Sequence, residues 1–136
     1  MGLHEVSVTM IGHWESGWID PDIEAFGWRQ LKSAFAFERL LMCPVFPELE
    51  NRTNLEQFAD VDQALATCTG TVYYLEPTGD QNIFDLPKDD AAVYVFGNAQ
   101  LGFPNRPNRV QIPTPTPTAM FAVNAAAIVL AHRLSP

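Results

Sequence analysis

The sequence predicts an α/β domain with a mostly parallel sheet flanked by helices. Short runs of β-branched and aromatic residues, typical of buried strands, alternate with longer segments of helical character. Glycine and proline clusters separate these runs, and such an alternating order favours parallel strands joined through helices. The chain has 136 residues, which indicates a single domain over residues 1–136 that is long enough to bury a core.

The first half of the chain contains two predicted strands with a helix between them. Residues 6–11 form the first strand. Asp20 and Pro21 then open a helix, because aspartate caps helix N-termini and proline suits the first helical position. Apolar residues at near-helical spacing carry this helix to about Phe37. Residues 39–45 form the second strand, which ends at an acidic turn rich in proline.

The second half adds three strands and two helices. A stripe of apolar residues predicts an amphipathic helix over residues 54–67. Strands are predicted at residues 71–75, 93–96 and 110–112, and prolines after the last strand force an extended loop. The alanine-rich segment from residue 119 is long enough for four helical turns. Because ligands of parallel sheets bind at the carboxyl ends of strands, residues that follow these strands are the first candidates for a site.

Composition indicates a globular protein and limits what it binds. The chain is 47% hydrophobic and 18% charged, and no apolar run approaches the roughly 20 residues of a membrane span. The first residues lack the pattern of a secretory signal, so we expect a cytoplasmic protein in which Cys43 and Cys68 are buried, reduced thiols. The histidines show no ligand spacing with the cysteines, so no metal site is predicted. A net charge of −8 argues against simple electrostatic binding of RNA.

Four segments follow the pattern of a known family in order and at matching spacing. Residues 96–103 (FGNAQLGF) match its glycine turn, residues 110–113 (VQIP) match a strand end, and residues 119–128 (AMFAVNAAAI) match the start of its last helix. Residues 20–29 (DPDIEAFGWR) lie on its first motif without a gap. With these segments the chain resembles the SPOUT RNA methyltransferases, most closely the branch that methylates the ribose 2′-hydroxyl.

The resemblance implies a fold, a cofactor and a reaction. It implies a deep C-terminal trefoil knot, in which the chain after Ile112 threads under the loop that follows the third strand. It also implies a homodimer that uses S-adenosylmethionine to methylate a ribose of tRNA or rRNA. The cofactor would be held mainly by backbone groups, which Gly97 and Gly102 can bring close to it, although both can also be ordinary turn glycines. Carried over position by position, the cofactor residues are Leu75, Glu76, Phe96, Gly97, Asn98, Leu101, Gly102, Ile112, Pro113, Thr114, Ala119 and Met120.

The resemblance also assigns residues to catalysis and to RNA binding. Arg29 falls where the family keeps its catalytic arginine and would hold a phosphate or the reacting ribose; the alternative is a surface arginine on a helix. Asn124 would supply a polar group at the start of the last helix. Lys32, Arg106 and Arg109 lie in or beside the segments of the expected active face and are assigned to RNA, unless they are scattered cations without a common role.

Several positions depart from the family pattern. Ala99 stands where the family has glutamate, Ile23 where it has asparagine, and Ala119 and Phe121 where it has serine and asparagine. These departures leave a second interpretation open, in which the chain is a catalytically degenerate knotted domain that serves as a binding or assembly module. A homodimer would use apolar residues of the first and last helices, namely Trp28, Phe35, Ile128 and Leu130.

Overall fold

The structure, a computed structural model, describes the whole chain except residues 1–6, 16–19, 51–53, 99–100 and 117. The N-terminal residues and Ala99, which entered the sequence argument, lie outside the described part. The described strands are β1 (Ser7–His13), β2 (Arg39–Cys43), β3 (Glu56–Gln57), β4 (Thr71–Leu75), β5 (Gln81–Asn82), β6 (Ala91–Phe96) and β7 (Arg109–Gln111). The described α-helices are α1 (Pro21–Phe35), α2 (Val61–Leu65) and α3 (Ala122–Leu134).

The strands form one parallel sheet in the order β3-β2-β1-β6-β4-β7-β5, which confirms the predicted fold class. One face packs against α1 and α3, where the rings of Trp28 and Phe96 meet edge to face at 5.9 Å. The other face packs against α2 and buries Phe103 and Cys43. Burial raises the pKa of the Cys43 thiol to about 12, and both cysteines are free, with Cys68 half-buried. Because helices cover both faces of the sheet, the sequences of the central strands are nearly continuous apolar runs.

Helix α1 begins where the sequence predicts. Asp20 caps it, since its Oδ1 accepts a hydrogen bond from the amide of Asp22 at 2.9 Å, and a proline follows the cap. The helix ends at Phe35, short of the predicted Phe37, because Ala36 adopts a left-handed conformation with φ of 53°. Within the described residues, no helix has the length and hydropathy needed to cross a membrane.

The residues that were expected to pack against a second subunit mostly belong to the core of their own chain. Trp28 is fully buried and Leu130 is buried, while Phe35 and Ile128 are half-buried. The large apolar side chains of α1 that are exposed are instead Ile23 and Phe26. Helix α1 instead buries Ala25 and Trp28 in the core, and Gly27 faces Val123 of α3.

The predicted helix over residues 54–67 is wrong in its first half. Residues 56–57 form β3 beside β2, and Glu56 makes an ion pair with Arg39 of that strand at 2.7 Å. The helix starts only at Val61, because the side chain of Asp60 caps it by accepting the amide of Gln63 at 2.8 Å. The predicted strand over residues 71–75 is confirmed with its ends, and the other four predicted strands are confirmed with shifted ends.

A loop that crosses β7 shapes the carboxyl edge of the sheet. Leu75 of β4 pairs with Val110 from one side, and Gln81 of β5 pairs with the same residue from the other side. Residues 76–80 therefore pass over β7, and we call them the crossover loop. A Cβ at Gly79 would lie 2.5 Å from the carbonyl carbon of Val110, so only glycine allows this approach.

Candidate functional site

A cavity of about 670 Å³ lies at the carboxyl ends of β4, β6 and β7. Parallel α/β sheets bind their ligands at this edge, and the volume falls within the usual range for small-molecule sites. Its lining comes from the crossover loop, the glycine turn after β6, the proline-rich segment after β7 and the first turn of α3. The residues are Glu15, Leu75, Glu76, Pro77, Phe96, Gly97, Asn98, Leu101, Gln111, Ile112, Pro113, Thr114, Pro115, Thr116, Thr118, Ala119, Met120, Phe121, Ala122 and Ala125.

The cavity brings together almost all of the residues predicted for the cofactor. Eleven of the twelve line it, and Gly102 does not. Gly102 instead lies beside Glu76, where a Cβ would come within 3.1 Å of both carboxylate oxygens. Because these eleven residues line one cavity, they can contact a single ligand. Their role in binding the cofactor stays a prediction.

The glycine turn after β6 is closed by its own backbone. The amide of Asn98 donates to the carbonyl oxygen of Leu101 at 3.2 Å, and the amide of Leu101 donates back at 3.3 Å. The Asn98 side chain donates to the carbonyl oxygen of Trp14 at 2.9 Å, which ties the turn to the chain that follows β1. A Cβ at Gly97 would lie 2.0 Å from the Leu101 carbonyl oxygen, so the turn requires glycine at this position.

Glu76 joins the glycine turn to the crossover loop. Its carboxylate accepts the amide of Phe103, and the Nε of Arg109 lies 3.9 Å away, an ionic contact that is too long for a hydrogen bond. Arg109 also donates to the hydroxyl of Thr78 at 3.0 Å. Arg109 was predicted to bind RNA, but these contacts engage its guanidinium within the chain.

Sequence reasoning missed Glu15, which lies just after β1 and lines the cavity although only 4% of its surface is exposed. Its amide donates to Oε1 of Glu24 at 2.9 Å. Burial raises the pKa of Glu24, the hydrogen bond from the Glu15 amide opposes the rise, and the Glu15 charge adds to it. The one signal available in the sequence was the position of Glu15 after a buried strand, since no motif includes it.

The residues predicted for catalysis do not line the cavity. Arg29 is half-buried on α1, and Asn124 is exposed in the first turn of α3. The residues predicted for RNA binding are not gathered either. Lys32 lies 6.0 Å above the ring of Phe37 on the α1 side of the sheet.

Arg106 lies on the opposite side of the sheet from Lys32. It stacks over the ring of Tyr74 at 5.4 Å and makes an ion pair with Asp62 of α2 at 2.9 Å. Lys32 and Arg106 therefore lie on different sides of the sheet, and their assignment to RNA stays a prediction. The two sides of the sheet are separated by its full thickness.

Several solved structures with a similar architecture are described as RNA methyltransferases. The SpoU methyltransferase AviRb from Streptomyces viridochromogenes, in complex with AdoMet, has a TM-score of 0.73 and 13% identity, with 96% of this chain matching 57% of that one. An AdoMet-bound rRNA methyltransferase from Sinorhizobium meliloti has a TM-score of 0.66 and 13% identity, with coverages of 95% and 55%. A structure on the 2-OH methylation of C/U34 on tRNA has a TM-score of 0.64 and 13% identity, with 93% of each chain covered.

The fold is that of the SpoU/SPOUT RNA methyltransferases. The resemblance found in the sequence is thereby confirmed at the level of fold. The chain spans somewhat more than half the length of AviRb and of the Sinorhizobium meliloti protein. No family model matches the sequence, and no curated protein matches it.

In this SpoU/SPOUT fold the chemistry of the cavity is set by backbone groups, apolar side chains and two carboxylates. Glu15 and Glu76 are the acidic residues of the lining, and the described lining contains no lysine or arginine. Such a cavity suits a neutral or cationic organic molecule better than an anion. The described residues also contain no group of three or more metal-ligating side chains that could hold a metal ion.

Proposed function

We propose that the protein is a cytoplasmic homodimer that transfers the methyl group of S-adenosylmethionine to a ribose 2′-hydroxyl of tRNA or rRNA. The observation that carries the proposal is the cavity, which unites eleven of the twelve residues assigned to the cofactor by the sequence pattern. The AdoMet bound to AviRb and to the Sinorhizobium meliloti protein supports the choice of cofactor. The tRNA and rRNA methyltransferases among the similar structures support the choice of substrate.

The residues of the cavity fit this cofactor. Gly97 lets the backbone of the glycine turn approach an adenosyl group, and Leu75, Phe96 and Ile112 offer apolar contact. When bound, the cofactor supplies an electrophilic methyl on a sulfonium. The chain then has to hold the ribose hydroxyl in line with that methyl and to accept its proton.

We extend the proposal to a trefoil knot. The crossover loop passes over β7, and the chain that leaves β7 continues to α3, which packs on the α1 face of the sheet. A loop that covers a later strand supplies the crossing that a knot needs.

The proposed homodimer is supported by an apolar patch on α1 that consists of Ile23 and Phe26. These two side chains are 67% and 65% exposed, respectively.

A second candidate function is a binding or assembly module without activity. The observation that favours it is that neither Arg29 nor Asn124 lines the cavity. Ala119 and Phe121 also bring no hydroxyl or amide side chain to the lining. Catalysis by Arg29 therefore requires that the RNA reaches from the cavity to α1, or that a second copy brings this arginine to the cavity.

Calorimetry with S-adenosylmethionine and a tritiated-methyl assay on total tRNA and rRNA test the proposal. We expect Arg29→Ala to keep its cofactor affinity and to lose methyl transfer by about a hundredfold or more, because a bidentate positioning group is lost. The matched control is Gln30→Ala, an exposed neighbour on α1, which should keep full activity.

Each outcome selects between the two functions. A wild type that binds the cofactor but transfers no methyl group supports the module. A fully active Arg29→Ala variant refutes the role of Arg29 and leaves the enzyme in place. A wild type that does not bind millimolar cofactor refutes the proposed function itself.

A further inference from the structure

Gly102 is the one residue of the twelve assigned to the cofactor that does not line the cavity. Its backbone does not demand glycine, because its φ lies outside the left-handed region that Gly70 occupies at 119°. The constraint is steric, since a Cβ at Gly102 would lie 3.1 Å from each carboxylate oxygen of Glu76, closer than an ordinary van der Waals contact. The absent side chain at Gly102 therefore makes room for a carboxylate of the same chain.

The Glu76 carboxylate is held between two loops. It accepts the amide of Phe103, which follows the glycine turn, and the Glu76 side chain is only 10% exposed. The Nε of Arg109 lies 3.9 Å away, and within the described residues this buried nitrogen has no hydrogen-bond partner, so the ionic contact with Glu76 compensates it. Arg109 is itself held by Thr78 at 3.0 Å. Movement of the carboxylate away from Phe103 would thus leave a buried cation without its counter-charge.

Phe103 is anchored through its ring as well as through its amide. The residue is 5% exposed, and its ring lies 5.1 Å from the ring of Tyr74 and 5.7 Å from that of His13. The same ring would lie 3.5 Å from a Cβ at Gly97, where the glycine turn begins. The end of the turn is therefore fixed both to the core and to Glu76.

The contact between Glu76 and the Phe103 amide joins two walls of the cavity. The crossover loop contributes Glu76 and Pro77 to the lining, and the glycine turn contributes Gly97, Asn98 and Leu101. If the contact is lost, a ligand has to order these two walls as it binds. Such ordering opposes binding, so a preformed cavity has the higher affinity.

We propose that Glu76 is a positioning residue, which acts through the Phe103 amide to hold the crossover loop and the glycine turn in the arrangement that binds the cofactor. This inference rests on the proposed function and gives new roles to residues of the same site. Gly102 admits the Glu76 carboxylate instead of contacting the ligand. Arg109 orients that carboxylate instead of contacting RNA.

Calorimetric titration with S-adenosylmethionine and S-adenosylhomocysteine tests the role of Glu76. The two ligands share their adenosyl part and differ in the charge at sulfur. We expect Glu76→Ala to weaken both by about tenfold and to a similar extent, because a charge-assisted hydrogen bond between the walls is lost and no contact with the sulfonium is involved. Glu76→Gln keeps an oxygen acceptor for the Phe103 amide and should stay within about threefold of the wild type.

The matched control is Glu56→Ala. It removes the carboxylate that pairs with Arg39 at 2.7 Å on the other side of the sheet, far along the strand order from β7, and it does not alter the lining of the cavity. Affinity for both ligands should be unchanged.

A double-mutant cycle tests the link between Glu76 and Gly102. Gly102→Ala alone should weaken both ligands by about fivefold, because its Cβ displaces the carboxylate. In the Glu76→Ala background the same substitution should change affinity by less than about twofold, since the group it displaces is gone.

The amide proton of Phe103 reports on the contact in the protein without ligand. In a ¹H–¹⁵N spectrum of the wild type we expect this proton far downfield, because its acceptor is a carboxylate. Glu76→Ala and Gly102→Ala should both move it upfield and speed its exchange with solvent. Gly102→Ala keeps every hydrogen-bonding side chain, so it tests the contact even if Glu76→Ala does not fold.

The possible failures are distinguishable. A loss of affinity confined to S-adenosylmethionine would assign Glu76 to direct contact with the sulfonium and overturn its positioning role. Equal effects of Gly102→Ala in both backgrounds overturn the role of Gly102. An unshifted Phe103 amide in Glu76→Ala overturns the contact itself. A wild type that shows the downfield amide but binds neither ligand overturns the proposed function, and with it the positioning role.

Discussion

At the scale of single residues, Gly97 is the position where the cavity depends most on the absence of a side chain. Its missing Cβ leaves room for the carbonyl oxygen of Leu101, which would otherwise lie 2.0 Å away. We expect Gly97→Ala to displace the turn and to weaken binding of S-adenosylmethionine by at least tenfold in calorimetry, while the fold persists.

The control for this change is Gly27→Ala in α1. A Cβ there would lie 3.6 Å from Val123, an ordinary contact, and alanine favours helices over glycine by about 0.5–1 kcal/mol. Gly27→Ala should therefore leave binding unchanged and raise the free energy of unfolding slightly. Unaltered binding by Gly97→Ala would contradict the role of the turn.

Burial of His13 makes stability depend on pH. Desolvation lowers the pKa of His13 below its ordinary 6.5, against the opposing effect of its hydrogen bond to the Phe96 carbonyl oxygen at 2.7 Å. Below pH 6.5 the unfolded chain therefore binds more protons than the folded chain. The free energy of unfolding then falls by up to about 1.4 kcal/mol for each pH unit of acidification, until the pKa of His13 in the folded chain is reached. His132 acts in the same direction, chiefly through burial.

Urea unfolding between pH 7.5 and 5.5 measures this dependence. His13→Gln should show a shallower loss of unfolding free energy than the wild type, whatever its stability at pH 7.5. Comparison of the two proteins cancels the contribution of Glu24, whose raised pKa favours the folded state in acid. Equal slopes would contradict a depressed pKa of His13.

Sequence patterns identified most cavity residues and failed at Glu15 for a physical reason. The matched motifs are local, and the glycines and prolines in them signal backbone geometry that a short segment determines. The burial of Glu15 depends instead on Glu24 of α1 and on the Trp14 environment, which no local pattern encodes. Arg106 shows the same limit, because its ion pair with Asp62 joins segments 44 positions apart in the chain.

At the scale of secondary structure elements, α3 depends on its last turn to stay on the sheet. Arg133 donates to the hydroxyl of Tyr94 at 2.8 Å and to the carbonyl oxygen of Asp89 at 2.6 Å. Arg133→Ala leaves these partly buried acceptors without their donor, so we expect a loss of about 1–3 kcal/mol of unfolding free energy in urea titration.

Lys88→Ala provides the comparison for Arg133. Lys88 also reaches the end of α3, through Ser135, but this contact is exposed, so its loss should cost no more than about 0.5 kcal/mol. Equal effects of the two substitutions would show that exposure does not decide the contribution of these contacts.

The elements that the sequence predicts well are those that satisfy their own hydrogen bonds or carry long apolar runs. β1, β6, α1 and α3 are of this kind. β3 and β5 have only two residues each and exist because a neighbouring strand pairs with them, so their own residues carry no strand pattern. Helix α2 is shorter than predicted because Asp60 caps its N-terminus, so the helix begins at Val61 and excludes the preceding residues.

At the scale of the whole molecule, the exposed patch of α1 predicts the state of assembly. We expect a dimer of about twice the 15.1 kDa chain mass in sedimentation experiments. Ile23→Ser with Phe26→Ser should raise the dimer dissociation constant by at least a hundredfold, since each buried apolar side chain contributes about 1.5–3 kcal/mol. Val45→Ser, which is 40% exposed and lies outside α1, is the control. A monomeric wild type at micromolar concentration would contradict the dimer.

The crossover loop has a consequence for how quickly a ligand can enter and leave. Glu76 and Asp80 at its two ends donate their amides to the backbone of β7 at 2.8 and 3.1 Å, and Gly79 lies against Val110. The crossover loop therefore cannot move away from the cavity unless β7 leaves the sheet. Thr114 and Thr118, which also line the cavity, are exposed, and their hydrogen bonds within the described residues are local ones to Thr116. A ligand that enters or leaves the cavity therefore passes a wall that is fixed to the sheet on the side of the crossover loop.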